Sequence, residues 1–171
     1  DLWKINGYEI SNLLKKKEVS AAEICNKLIE HIEKINPKIN AIVVETFEDA
    51  KKQAEILDKK INQGENIGLL AGVPTTIKVN TDQIGYPSTN GLRIQKDLIA
   101  KKDSPVVKNL RNSDALMLGK TNTPAFSIHW FTRNSLHGHT LNPHNKNITP
   151  GGSSGGAAAA TAAGMGAIGH G

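Results

Sequence analysis

One cysteine, Cys25, stands alone in 171 residues. Without a partner it excludes a disulfide framework in this chain and favours a reducing compartment. Aromatic side chains make up only 4% of the residues, and Arg93, Arg111 and Arg133 are the only arginines among 21 lysines and arginines. A nucleic-acid surface usually clusters arginine with aromatics. Here the formal charge of +5 comes from lysines spread along helical patterns, as in Lys15-Lys16-Lys17, Lys51-Lys52 and Lys59-Lys60. Solvated helix faces account for it, and no nucleic-acid partner is expected. There is no apolar run long enough to span a bilayer and no leader-like pattern, so no membrane partner is expected and the default location is cytoplasmic. Internal repeats, linkers and low-complexity tracts are absent apart from one alanine run. What remains is a chain of single-domain length, 38% apolar, able to bury a real core.

The apolar spacing reads as helices alternating with strands. Ser20-Ala21-Ala22-Glu23 is a capping box, and Ile24, Leu28, Ile32 and Ile35 follow at helical intervals until Asn36-Pro37 ends the helix. Ala41-Ile42-Val43-Val44 is a short buried strand. Phe47 to Asn62 is a second amphipathic helix that stops near Gly64. Gly72 to Asn80 is a strand with proline at its start, and Asp82 to Lys102 is an irregular surface loop. Ser104-Pro105 caps and opens another helix, Ala115 to Leu118 is a strand, and Gly119 to Pro124 leaves it as a loop. This alternation predicts an α/β fold, a sheet with helices on its faces.

The chemistry concentrates in Gly151-Gly152-Ser153-Ser154-Gly155-Gly156, which runs straight into Ala157-Ala158-Ala159-Ala160-Thr161-Ala162-Ala163-Gly164. Two hydroxyls in a glycine-rich turn before a small-residue helix suit either a phosphate cradle or catalytic serines, and Ser153 or Ser154 is also a natural helix N-cap. Lys78 is the second unusual residue, a lysine within a β-branched strand where Thr76 and Lys78 share one face. It is either an edge-strand lysine that discourages aggregation or a buried amine that has lost its proton and serves as a general base. Three other motifs fail on context. Gly119-Lys120-Thr121 copies the end of a phosphate-binding loop, but Asp114 stands where that loop needs glycine. Gly164-x-Gly166-x-x-Gly169 follows a helix and leads toward a strand, the reverse of a dinucleotide fingerprint. His137, His139 and His144 have no neighbouring cysteine or carboxylate to complete a zinc site and read as hydrogen-bonding loop residues.

Taken together, these segments resemble the amidase signature family of amide hydrolases. The resemblance runs through Asn36 to Ala41, Gly72-Val73-Pro74 with Lys78 and Asn80, and Thr89-Asn90-Gly91. It continues in Asp103 to Val107, Gly119 to Pro124, Leu141-Asn142-Pro143 and Pro150 to Ala160. It implies an α/β/α layered fold with a mixed central sheet, hydrolysis of a small-molecule carboxylic amide, and no cofactor or metal. Residue by residue, Lys78 falls on the family's base and Ser153 on its serine preceded by a cis peptide bond. Gly151, Gly152, Ser154, Gly155 and Gly156 form the supporting loop. The family's nucleophilic serine lies in a second glycine-rich motif, and Ala167 to Gly171 looks like the strand leading into it. Residues 1–171 are therefore expected to be one incomplete amidase domain, with the nucleophile beyond Gly171 and the isolated chain inactive.

Two departures stand out. Val79 replaces an aspartate usual after the lysine, and Ala125 replaces a glutamate common after the Thr-Pro pair. The segment His129 to Asn134 with Leu136-His137-Gly138 looks closer to the stand-alone amidases than to the glutaminase component of a tRNA-dependent amidotransferase. That component is the second reading, a non-catalytic remnant is the third, and a homo-oligomer is left open.

Overall fold

The computed structural model describes residues 1–171. The elements in chain order are α1 (Gly7–Lys15), α2 (Ala21–Ile39), β1 (Ile42–Glu45), α3 (Phe47–Gln63) and β2 (Pro74–Lys78). They continue as α4 (Pro105–Asn112), β3 (Leu116–Thr121), β4 (Arg133–Asn134), β5 (Gly138–His139), α5 (Gly155–Ala162) and β6 (Ile168–His170). The central sheet has the order β1-β3-β2-β6. β1 runs antiparallel to β3, while β2 is parallel to both β3 and β6, which makes the sheet mixed. A separate two-stranded hairpin joins β4 to β5.

Helices cover both faces. Ile10 and Leu14 of α1, the Ile24-Leu28-Ile32 stripe of α2, Ala50, Ala54 and Leu57 of α3, and Ala159 and Ala160 of α5 close over Leu116 and Leu118. On the opposite face, Val107 of α4 packs against Ile77 and Met117. This is the α/β/α layering that the resemblance implies.

Several local expectations change. α2 runs through Pro37 to Ile39 instead of stopping at Asn36. Proline removes only one donor there, in the last turn, and Asn36 repairs the end: its Oδ1 accepts from the amides of Ala41 and Ile42, at 3.0 and 2.9 Å. Asn40 then ends the helix in the left-handed region at φ 53°. At the other end Ser20 accepts from Glu23 N at 3.0 Å, but the next donors, Ala21 N and Ala22 N, go to the Asp58 carboxylate of α3 at 2.7 and 3.0 Å. Helix α1, which the spacing rules passed over, starts at a full capping box between Asn6 and Glu9.

β3 extends to Thr121, so Gly119, Lys120 and Thr121 are strand and not loop. Glycine is needed at 119 because a Cβ there would lie 2.5 Å from Ile42 Cγ2 and 3.2 Å from Val44 O of β1. The 82–102 segment folds back on itself through a Pro87–Ile99 bridge. Arg111 of α4 fixes its exit, reaching Asp103 at 2.7 Å and Asp49 of α3 at 2.9 Å.

Candidate active site

Lys78 closes β2, and β2 lies between β3 and β6. The edge-strand reading of this lysine is therefore wrong. The residue is only 5% exposed. It turns toward the start of α5, where Nζ lies 2.8 Å from Ser153 Oγ and 3.0 Å from Ser154 Oγ. No carboxylate pairs with it. Burial pushes its ammonium pKa below the ordinary lysine value, since removal from water disfavours the charged form. A neutral amine has two N–H donors and one lone pair, so between two hydroxyls it can donate to one and accept from the other. That is the arrangement of a general base.

The serine loop is held from outside its own sequence. The peptide bond between Gly152 and Ser153 is cis. Thr132 Oγ1 donates to Gly151 O at 2.9 Å and accepts from Gly155 N at 3.0 Å. Thr123 Oγ1 donates to Ser153 O at 3.3 Å. Ser154 does occupy the N-cap position of α5, but its hydroxyl caps nothing. It is taken by Lys78, and Thr132 serves the first helical amide in its place. Backbone approach explains two of the glycines. A Cβ on Gly152 would meet His129 O at 2.6 Å, and one on Gly156 would meet Asn122 O at 2.4 Å.

Other residues singled out by the sequence sort as follows. Val79 is fully buried, and its amide bonds Thr121 O at 2.9 Å. Ala125 lines a cavity of about 550 Å³ with His129, Phe131, Arg133, Asn134 and His139, on the segment that packs against Gly152. His137 Nε2 lies 2.7 Å from Thr89 Oγ1, and burial draws its pKa below the usual histidine value. His139 and His144 are exposed, and no group of three His, Cys, Asp or Glu residues is placed to hold a metal ion. Lys120, from the rejected phosphate-loop motif, is buried with Nζ 2.7 Å from Pro87 O.

β6 brings the chain back to this place. A Cβ on Gly171 would lie 2.9 Å from Ser154 Oγ, so the backbone leaving β6 stands beside Ser154. Sequence reasoning missed Thr132 and Thr123. Each acts through one hydroxyl on a backbone group 19 to 30 residues away, with no motif spacing to betray it.

Comparison with known proteins matches residues 23–171 to the family model described as Amidase. An indoleacetamide hydrolase of Bradyrhizobium diazoefficiens is 45% identical over 170 residues, covering 99% of this chain and 32% of the relative. A glutamyl-tRNA(Gln) amidotransferase component from Nostoc punctiforme is 43% identical over 152 residues, covering 89% of this chain and 31% of the relative. Among solved structures, a bacterial aryl acylamidase of the amidase signature enzymes superposes with a TM-score of 0.92 at 39% identity, covering 96% of this chain and 34% of that one. A 6-aminohexanoate cyclic dimer hydrolase gives 0.90 at 32% identity, covering 100% and 34%. The chain thus spans about one third of the length of the curated relatives it matches.

Proposed function

The chain belongs to the amidase family, and we propose that it supplies the base and the proton relay of an enzyme that hydrolyses a carboxylic amide. Lys78 is the base, Ser153 the relay, and the nucleophilic serine belongs to the sequence after Gly171. The observation that carries this reading is Lys78 Nζ, buried without a carboxylate, at 2.8 Å from Ser153 Oγ. The place of Gly171 beside Ser154 supports the rest, because chain continuing from there is delivered to the same hydroxyl pair.

In this mechanism neutral Lys78 takes the Ser153 proton as Ser153 takes that of the nucleophile. The nucleophile oxygen bonds to the amide carbon, and the relay returns a proton to the nitrogen as the C–N bond breaks. An acid–base pair of this kind contributes about 10²–10⁴-fold in rate. Water then repeats the attack on the ester, releasing the acid and restoring the serine. Gly151, Gly152, Gly155 and Gly156 shape the loop, and Ser154 shares the Lys78 amine.

Stand-alone hydrolysis is the favoured form of the reading, since the 45% identical relative is named a hydrolase and spans the whole chain. The amidotransferase relative at 43% identity supports a second form, glutamine hydrolysis coupled to a partner protein. Cytoplasmic location is part of the proposal, supported by the lone, buried Cys25.

The test is to assay the full-length natural protein on indoleacetamide, an aryl acylamide and glutamine, alone and with candidate partner proteins. Lys78→Ala and Ser153→Ala are each expected to lower turnover by about 10²-fold or more with little change in melting temperature. Wild-type kinetics in both variants would refute the assignment. Hydrolysis of glutamine only in the presence of a partner would select the amidotransferase form.

A further inference from the structure

Beyond Thr123, the contacts that hold Ser153 continue to a side chain that the catalytic reading does not use. Thr123 Oγ1, which donates to the Ser153 carbonyl at 3.3 Å, lies 2.9 Å from Ser127 Oγ. Ser127 Oγ accepts from Asn80 Nδ2 at 3.0 Å and donates to Asn90 Oδ1 at 2.9 Å. Asn80 is two residues past Lys78 at the exit of β2, and Asn90 belongs to the 82–102 segment. Three separate stretches of chain therefore meet at one hydroxyl, and the hydroxyl lies two hydrogen bonds from the Ser153 carbonyl, with Thr123 between them. Ser127 sits there at φ 58°, in the left-handed region that a residue with a Cβ seldom adopts.

Proton counting shows why a hydroxyl matters at this point. Ser127 and Thr123 have one proton each. When Ser127 donates to Thr123, the Thr123 proton is free for the Ser153 carbonyl, and the chain Asn80, Ser127, Thr123, Ser153 runs in one sense. When Ser127 donates to Asn90, it no longer orients Thr123, whose one proton is then divided between Ser127 and the Ser153 carbonyl. The Ser127 rotor thus sets how firmly Thr123 holds the loop carbonyl, while Asn80 ties the rotor to the exit of the lysine strand.

Building on the roles given above to Lys78 and Ser153, we propose that Ser127 is a positioning residue, which through Thr123 fixes the Ser153 peptide relative to the end of the Lys78 strand. Its hydroxyl bonds neither Lys78 Nζ nor Ser153 Oγ. Its effect is on how often Ser153 Oγ stands within hydrogen-bond reach of Nζ.

The test uses the full-length natural protein with Ser127→Ala, Ser127→Gly, Thr123→Val and Thr123→Ser. Glycine suits φ 58° better than serine does, so Ser127→Gly removes the hydroxyl while easing the backbone. Both Ser127 variants should lower kcat about tenfold or more, with KM changed by less than about threefold, because a relay displaced by a fraction of an ångström loses rate and not binding. Ser127→Gly should melt no lower than wild type. Thr123→Ser should restore what Thr123→Val loses, and Ser127→Ala should cost nothing further on a Thr123→Val background, because Ser127 acts on the loop only through Thr123. Hydrogen exchange of the 151–156 amides supplies a readout that needs no activity: both Ser127 variants should exchange faster there and not in α2 or α3. Unchanged exchange in the loop, or kcat retained within about twofold in either Ser127 variant, overturns the proposal. If wild type hydrolyses no amide, the catalytic reading fails, and the exchange result still decides whether Ser127 fixes the Ser153 loop.

Discussion

Lys120 offers a measurable consequence of burying an amine without a carboxylate. It is fully buried in β3, with Nζ 2.7 Å from Pro87 O and 3.4 Å from Ser88 Oγ. Burial draws its pKa from 10.5 down to about 8, opposed only by the charge of Asp82. Below pH 8 the folded and unfolded chains both hold the proton, and the fold carries the full cost of the buried charge. Between about 8 and 10.5 the unfolded chain keeps a proton that the folded chain has released, so unfolding free energy rises with pH across that window. The gap corresponds to about 3 kcal/mol. The assay is urea unfolding of the wild type and of Lys120→Met at pH 7, 8, 9 and 10. Methionine fills a similar volume and does not titrate, and the donor it takes from Pro87 O is a constant offset. Lys78, whose pKa is also lowered, is present in both chains and cancels. The stability of the wild type relative to Lys120→Met should climb by about 2 kcal/mol or more from pH 7 to pH 10. Two curves that stay parallel would show that Lys120 is not held as a poorly solvated amine, and the reasoning would fall.

Three further outcomes are expected. Asp58→Ala removes the acceptor for Ala21 N and Ala22 N and should lower unfolding free energy by about 1–2 kcal/mol in urea melts. Gly156→Ala should destabilise despite the roughly 1 kcal/mol advantage of alanine in helices, because its methyl would lie 2.4 Å from Asn122 O and 2.5 Å from Asn122 N, backbone atoms that no rotamer change can move. A neutral or stabilised variant in thermal melts would count against that close approach. In the full-length protein, kcat/KM for amide hydrolysis should rise with pH to a plateau whose midpoint lies below 10.5, because Lys78 must be neutral to act and burial lowers its pKa.

What was legible in the sequence was local. The Ile24-Leu28-Ile32 stripe, the Ser104-Pro105 cap and the Gly64 stop each depend on residues within two turns of one another, and each stands where periodicity puts it. The serine loop was legible because its glycines and hydroxyls are contiguous. Lys78 could not be assigned from its strand alone, since edge and centre of a sheet differ only in what lies on either side. Thr132, Thr123 and Ser127 were illegible for a related reason. A hydroxyl that bonds a backbone carbonyl across the fold needs no fixed spacing and no particular neighbour. Asn36, whose side chain lets α2 run through Pro37, belongs to the same class.

The least legible step is the skip of a single residue, and it decides which lysine reaches the serines. Thr75 lies across from Met117, but Thr76 lies across from Gly119, so Leu118 is passed over. Continued without the skip, the register would set Lys78 across from Lys120 on the same face. Two ammonium groups directly opposed on neighbouring strands repel, and Ser153 and Ser154 would face a pair of competing amines. With the skip, Thr121 stands across from Lys78 and Ile77 across from Lys120. Lys120 therefore shares the face of Ile77 and Met117, and there it finds Pro87 O. Counting alternate residues along β3 gives the wrong face for every position after Leu118. The separation of the two buried lysines is a property of the pairing between β2 and β3, and neither strand states it alone.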